Sequence, residues 1–312
     1  MKKEHKTSIG GQALIEGVMM RGPEKCTMAI RTTSGEIVTE DVAVASLKNK
    51  KWYQKCPVVR GVFAFAESML SGYKCLMRST ELSGFTDTPE AESKFDKWLE
   101  EKIGDKLTAV ISVLSIIFAL IISVLLFMIL PTGIVKLVNL ALPLGNFLNT
   151  VLESVVKVMI FVSYLALTSL MPDLKRVYMY HGAEHKTIFC YEKGLPLTVE
   201  NVRPMKRFHP RCGTSFLIIS ILVSIFVMCL IPTWNLFYRV GVKVLTLPLT
   251  IGIAYEFIKL AGRYDNIFTR IISAPGVLLQ HITTKEPEDS MIECAITALE
   301  SVKPQDPEEA KW

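Results

Sequence analysis

The sequence predicts an α-helical membrane protein with about four transmembrane helices and a small N-terminal cytoplasmic α+β domain. Half of the residues are hydrophobic and the mean hydropathy is +0.35, too apolar for an ordinary soluble chain. Charged residues still make up 21%, so the apolar ones must be gathered into blocks. Residues 107–130 and 213–231 carry no charge, and each run exceeds the roughly 18 residues that mark a spanning segment.

Residues 1–90 read as the α+β domain. Short strands are expected over 14–21, 26–32 and 37–44, with Ser34-Gly35 turning the second into the third. A basic turn follows at Lys48 to Lys51, then an amphipathic helix over 58–82 that packs under the hairpin or lies on a membrane surface. The glycine-rich run Gly10 to Pro23 lacks the Gly-Lys-Ser/Thr ending of a phosphate loop, so its glycines read as turns, and its charges Glu16 and Arg21 can face a membrane-proximal site. Residues 91–106 mix both signs of charge and form a solvated linker.

The transmembrane domain covers 107–261, with spans at about 107–130, 154–171, 213–231 and 240–261. Lys157, Lys243 and Lys259 lie near span ends, where a long stem can snorkel to the headgroups. Glu256 cannot reach so far and is a functional candidate, with Lys259 and Arg263 as its partners. Pro131 and Pro232 read as stops of two helices ending in similar blocks, a hint of duplication. The loop 172–212 is basic, residues 172–213 holding eight Lys/Arg against Lys136 and Arg239 alone in the two other loops. The positive-inside rule then places that loop and both termini in the cytoplasm, at the cell (inner) membrane. Residues 262–312 form a cytoplasmic tail, broken at Pro275-Gly276 and ending in an amphipathic helix over about 287–302 that can dock on the N-terminal domain.

Seven cysteines, an odd number without repeated spacing, argue against a disulfide framework. The formal charge of +5 is modest and gathers in the cytoplasmic loop, so the lipid bilayer and its anionic headgroups are the expected partners, with a protein partner or a second copy also compatible, and no nucleic acid is implied.

The chemistry lies in that loop. His181, Glu184 and His185 have the spacing of an inverted zincin: two imidazoles one helical turn apart hold a metal, and the carboxylate beside them takes a proton from the water on it. His209 and Cys212, followed by Gly213, have knuckle spacing and add one nitrogen and one sulfur. The expected cofactor is a divalent transition metal, zinc by its ligand types, with His181, His185, His209 and Cys212 as ligands and Glu184 catalytic. All four together would close a tetrahedral structural site, whereas a catalytic one needs an open position. Gly182 costs about 1 kcal/mol of helix propensity and points to a short or frayed helix.

Gly10 to Gly22, Tyr180 to Lys186, His209 to Phe216 and Thr283 to Pro287 resemble the YqhQ-like family of uncharacterised bacterial membrane proteins, which carry the label of predicted metal-dependent enzymes. The resemblance runs over nearly the whole chain and implies a multi-span architecture and a shared site, without an established reaction. Three functions follow as expectations: a metal-dependent hydrolase of a membrane-proximal lipid or peptide, a non-catalytic membrane scaffold stapled by a structural metal, and a small transporter using Glu256.

Overall fold

The computed structural model describes residues 6–43, 55–84, 106–231, 235–264, 266–304, 306 and 310. The expected basic turn at Lys48 to Lys51 and nearly all of the linker 91–106 lie outside them. The chain is mostly helical, with a small N-terminal antiparallel sheet. It forms two compact units that cut across its linear divisions: residues 1–85, 165–223 and 248–312 make the first, and 86–164 with 224–247 the second.

The first unit is built on a four-stranded meander, β1 (Gly10–Leu14), β2 (Gly17–Arg21), β3 (Cys26–Arg31) and β4 (Ile37–Asp41), all antiparallel in sequence order. A two-residue turn, Ile15-Glu16, joins β1 to β2, with Leu14 paired to Gly17 and Glu16 at φ 51°. Left-handed backbone at a non-glycine residue costs about 1 kcal/mol. Here the Glu16 carboxylate is tied down by two 2.6 Å bonds from Arg176 and one of 3.2 Å from the Tyr180 hydroxyl. Arg21 pairs with Glu67 instead, so neither of these charges is directed at a shared site.

Alternation along the strands gives the sheet two apolar faces. Leu14, Met19, Met28 and Ile30 pack with Cys75, Leu76 and Leu82 of α1 (Val59–Leu82). Val18, Met20 and Ala29 pack on the other face with α5 (Pro172–Glu192) and α10 (Asp289–Val302), whose Met291, Ile292, Ala295, Ala298 and Leu299 are buried. The amphipathic helix therefore lies under the hairpin, while its Met69, Leu70 and Tyr73 stay exposed. At its start, Arg60 ion-pairs with Glu256, and Val58, held at φ 66°, donates its N–H to the same carboxylate at 3.2 Å. Arg60 of α1 thus joins Lys259, the expected partner on the same helix, in holding the Glu256 carboxylate.

Half of the expected loop 172–212 is a regular helix. Pro172 supplies a preset φ at the first turn of α5, and Gly194 at φ 66° ends it, the N–H of Leu195 returning to Cys190 O at 3.2 Å and that of Gly194 to Tyr191 O at 2.9 Å. Gly182 does not fray it. A Cβ at 182 would stand 2.0 Å from the backbone oxygen of Lys285, because residues 283–287 cross α5 at that turn, with Lys285 donating to Tyr178 O at 2.8 Å. Gly182→Ala should destabilise the first unit by about 2 to 4 kcal/mol, read as a lowered thermal midpoint, although alanine is the better helix former. An unchanged or raised midpoint would show that the crossing strand is not held there.

The chain continues through the short α6 (Val199–Val202) to α7 (Gly213–Cys229), α8 (Leu236–Arg263) and α9 (Ile267–Thr283). The expected break at Pro275-Gly276 does not occur. Both lie inside α9, where the bare Cα of Gly276 lets Ser215 approach to about the 2.4 Å at which a Cβ would meet its Oγ.

In the second unit, α2 (Lys106–Val124) and α3 (Leu130–Ala141) are joined through a π-turn, Leu125–Ile129. Pro131 was expected to stop this helix. It has no N–H and its ring collides with the carbonyl four residues back, but one widened turn absorbs both, the Leu130 N–H bonding Leu125 O. Among the described residues, three helices are long and apolar enough to cross a membrane: Val113–Ala141, α4 (Asn146–Thr168) and Phe237–Arg263. α7, expected as a span, is apolar but has 17 residues.

The same unit holds a buried ionic cluster that sequence reading missed. Glu153 of α4 accepts from Arg239 Nε at 2.8 Å and from Thr132 Oγ1 at 2.7 Å, and it ion-pairs with Lys243, whose Nζ also donates to Thr132 at 3.0 Å. Arg239 was counted in an outer loop and Lys243 as a snorkelling residue; both are buried around this carboxylate.

Candidate metal centre

One turn of α5 and the loop before α7 build the site in the first unit. One ligand atom each from His181, His185 and Cys212 lies within 4.8 Å of the others. His181 Nε2 stands 3.1 Å from Cys212 Sγ, and the His181 and His185 rings are edge to face at 4.4 Å. Each imidazole is oriented from behind by a carbonyl: His181 Nδ1 bonds Thr283 O at 2.8 Å, and His185 Nδ1 bonds Arg207 O at 2.5 Å. Both bonds leave Nε2 free to ligate, which is how protein carbonyls prepare histidines for a metal. The sulfur also receives Thr214 Oγ1 at 3.3 Å and the Thr214 N–H at 3.5 Å, at the first turn of α7.

The electrostatics suit a cation. Burial alone would push the Cys212 thiol up, but His181 and His185 hold it well below the ordinary thiol range. Burial pushes His181 down, and the sulfur and Glu184 overcome this to hold it up at about 9. A thiolate facing two imidazoles is a soft, charge-matched donor set for zinc. Tetrahedral bonds of about 2.0 to 2.3 Å place donors roughly 3.5 Å apart, so small side-chain rotations suffice.

Glu184, the expected catalytic residue, lies between the two histidines in sequence and is buried, which pushes its carboxyl up. The Gly11 amide on the neighbouring strand offsets part of that rise. A Cβ on Gly11 would stand 2.7 Å from the Met19 carbonyl oxygen, 2.9 Å from Met20 Sδ and 3.0 Å from the Glu184 carboxyl carbon, so the glycine in β1 serves close packing against β2 and the site rather than a turn.

His209 is not brought into the trio. Its ring lies 5.5 Å from that of His185, and its Nε2 faces Arg211 at 3.2 Å and Glu192 at 3.9 Å. Its backbone is clamped by Gln280, which accepts the His209 N–H and donates to the His209 carbonyl, both at 2.7 Å. Gln280 and Thr283 were invisible as site residues in the sequence, one helical face of a tail being all that marked them. The motif 283–287 was visible without its role: besides Thr283 O, it supplies Glu286, which pairs with Lys186 at 2.6 Å and Arg207 at 3.2 Å.

A cleft of about 530 Å³ opens beside the trio, lined by His181, Glu184, Cys212 and the Gly10-Gly11-Gln12 strand, with Phe65, Met69, Phe216 and Tyr255 among its apolar walls.

The pair Glu192 and His209 makes this region acid-sensitive. Burial opposes the charge on Glu192, but His209, Arg211 and the Thr7 N–H hold its carboxyl down to about 2, while burial first of all holds His209 down to about 4. Both depressed values mean that the unfolded chain takes up protons first, so stability is full above about pH 6.5 and falls as pH drops, through His209 to about pH 4 and through Glu192 from about 4.5 to 2. Melting of the metal-free protein should show a loss between pH 7 and 4 of which the His209 part, on the order of 3 kcal/mol, disappears in His209→Gln; identical profiles for the two would contradict the buried neutral imidazole.

No solved structure matches this chain. Residues 56–305 match the family model described as protein of unknown function (DUF1385). The uncharacterized protein YqhQ of Bacillus subtilis (strain 168) is 37% identical over 294 residues, covering 93% of this chain and 90% of the relative. The family model spans the α5 turn, the Cys212 loop and the 283–287 crossing, and this chain belongs to the DUF1385, YqhQ-like family.

Proposed function

We propose that the protein is a membrane-embedded, metal-dependent hydrolase whose site opens at the cytoplasmic face onto an apolar cleft, taking a substrate with an acyl chain or apolar side chains. The observation that carries this reading is the trio itself: two imidazoles and one thiolate converge while His209 stays engaged elsewhere, so a zinc-type ion would keep an open position beside the cleft. A scaffold would need His209 as a fourth ligand. His181, His185 and Cys212 would hold the ion, the Thr283 and Arg207 carbonyls fix the two imidazoles, and the bare Cα of Gly11 leaves room for Glu184. Such an ion polarises a carbonyl or phosphoryl oxygen and acidifies water. Glu184, its carboxyl raised by burial, accepts the proton of the attacking water and returns it to the leaving group.

The membrane part of the reading rests on parity. Segments 172–212 and 264–302 belong to one compact unit, and of the two helices between them α8 is long enough to cross, so the reading has α7 cross as well. At about 26 Å, and with Leu230 and Ile231 beyond it, α7 suffices for a locally thinned bilayer. This gives four spans with both termini cytoplasmic.

Elemental analysis of the detergent-purified chain tests the centre. About one equivalent of zinc is expected in wild type and in His209→Ala, and none in Cys212→Ser or His181→Ala/His185→Ala. Loss in His209→Ala would restore the structural site, and absence from folded wild type would end the enzyme reading.

A further inference from the structure

A second cavity, of about 570 Å³, lies in the first unit at the end of α8 and the start of α9. Its lining includes five cations, Lys6, Lys193, Lys206, Arg211 and Arg270, and among the described residues one carboxylate, Glu192, which is already ion-paired with Arg211. Hydroxyls of Tyr264 and Ser273 line it too, that of Thr269 being spent on the cap of α9. A concave wall with this excess of positive charge and hydroxyl donors suits a phosphate group. Beside it, α9 turns Ile267, Phe268, Ile271 and Leu278 outward, each at least 60% exposed, on one helical face. An apolar face flanked by Arg270 at the end of a spanning helix is the pattern of a helix lying at the headgroup level.

We infer that this cavity binds the phosphate headgroup of an anionic phospholipid, with its acyl chains against the exposed face of α9. The cavity and the metal cleft share His209 and Arg211 as a common wall. The headgroup is thus held one residue layer behind the metal trio. The inference rests on the membrane reading of α8 and not on the metal.

The test uses the full chain in neutral detergent with fluorescent phosphatidic acid, the same label on phosphatidylcholine, and glycerol 3-phosphate and inorganic phosphate as soluble competitors. Each interfacial cation contributes about fivefold, so Lys193→Gln/Lys206→Gln/Arg270→Gln should weaken phosphatidic acid binding on the order of a hundredfold. Lys74→Gln/Lys175→Gln/Lys303→Gln, outside the cavity, should leave it within about twofold. Equal losses in the two triple variants, or equal affinity for phosphatidylcholine, would overturn the site. Glycerol 3-phosphate binding as tightly as the lipid would overturn the lipid assignment and make the cavity one for soluble phosphates. Liposome flotation of the same preparations separates failures: a chain that does not float refutes the membrane reading, whereas one that floats without discriminating headgroups refutes only this inference.

Discussion

Glu184→Gln should abolish turnover, by about 100- to 10,000-fold, while leaving one equivalent of metal and an unchanged thermal midpoint. The amide keeps the shape of the carboxylate, so it fits the same buried place. What it cannot do is take a proton. The assay compares wild type, Glu184→Gln and the metal-free Cys212→Ser with a fluorogenic acyl ester and a fluorogenic peptide. Hydrolysis above the metal-free background in wild type, lost in Glu184→Gln, is the expected outcome. Equal rates in all three would remove Glu184 and the metal from any hydrolytic role. Gly11→Ala crowds the Met19 carbonyl of β2 as well as the Glu184 carboxyl, so it should lower the thermal midpoint together with kcat.

Glu153→Ala should cost about 3 to 5 kcal/mol, the other large effect in the molecule. The loss is not the worth of an ion pair. Arg239 and Lys243 remain buried, at 0% and 5% exposure, and both lose the carboxylate that their charges share. The triple substitution Glu153→Leu/Arg239→Leu/Lys243→Met should recover most of the stability, because removing both signs together removes the unpaired charge. Thermal unfolding in detergent reads both. If the triple variant is no better than Glu153→Ala, the cluster is held by packing and not by charge.

The helices and their apolar faces were legible because periodicity and charge-free runs survive any tertiary arrangement. The pairing of charges was not. Lys243 and Arg239 look like snorkelling or loop residues until Glu153 is seen on the facing helix, and one sequence gives no register between helices. The site was half legible for a related reason. His181 and His185 are fixed by one helical turn, and Cys212 was readable as a knuckle, but the spacing gave His209 the same standing. Its competing partners, Glu192 and Gln280, lie 17 and 71 residues away in sequence. Gly182 was misread because propensity counts only its own helix, while the backbone of Lys285 decides its identity.

The covering of β2 and β3 by α10 also sets an order of events during synthesis. Val18, Met20 and Ala29 emerge at the beginning, but the residues that shield them, Met291 to Leu299, follow some 270 positions later. At roughly 5 to 20 residues per second this apolar surface waits tens of seconds. The nascent sheet is therefore a natural client for a chaperone or for the membrane surface itself. Ribosomes stalled before residue 289 should hold it protease-sensitive until the last helix is released.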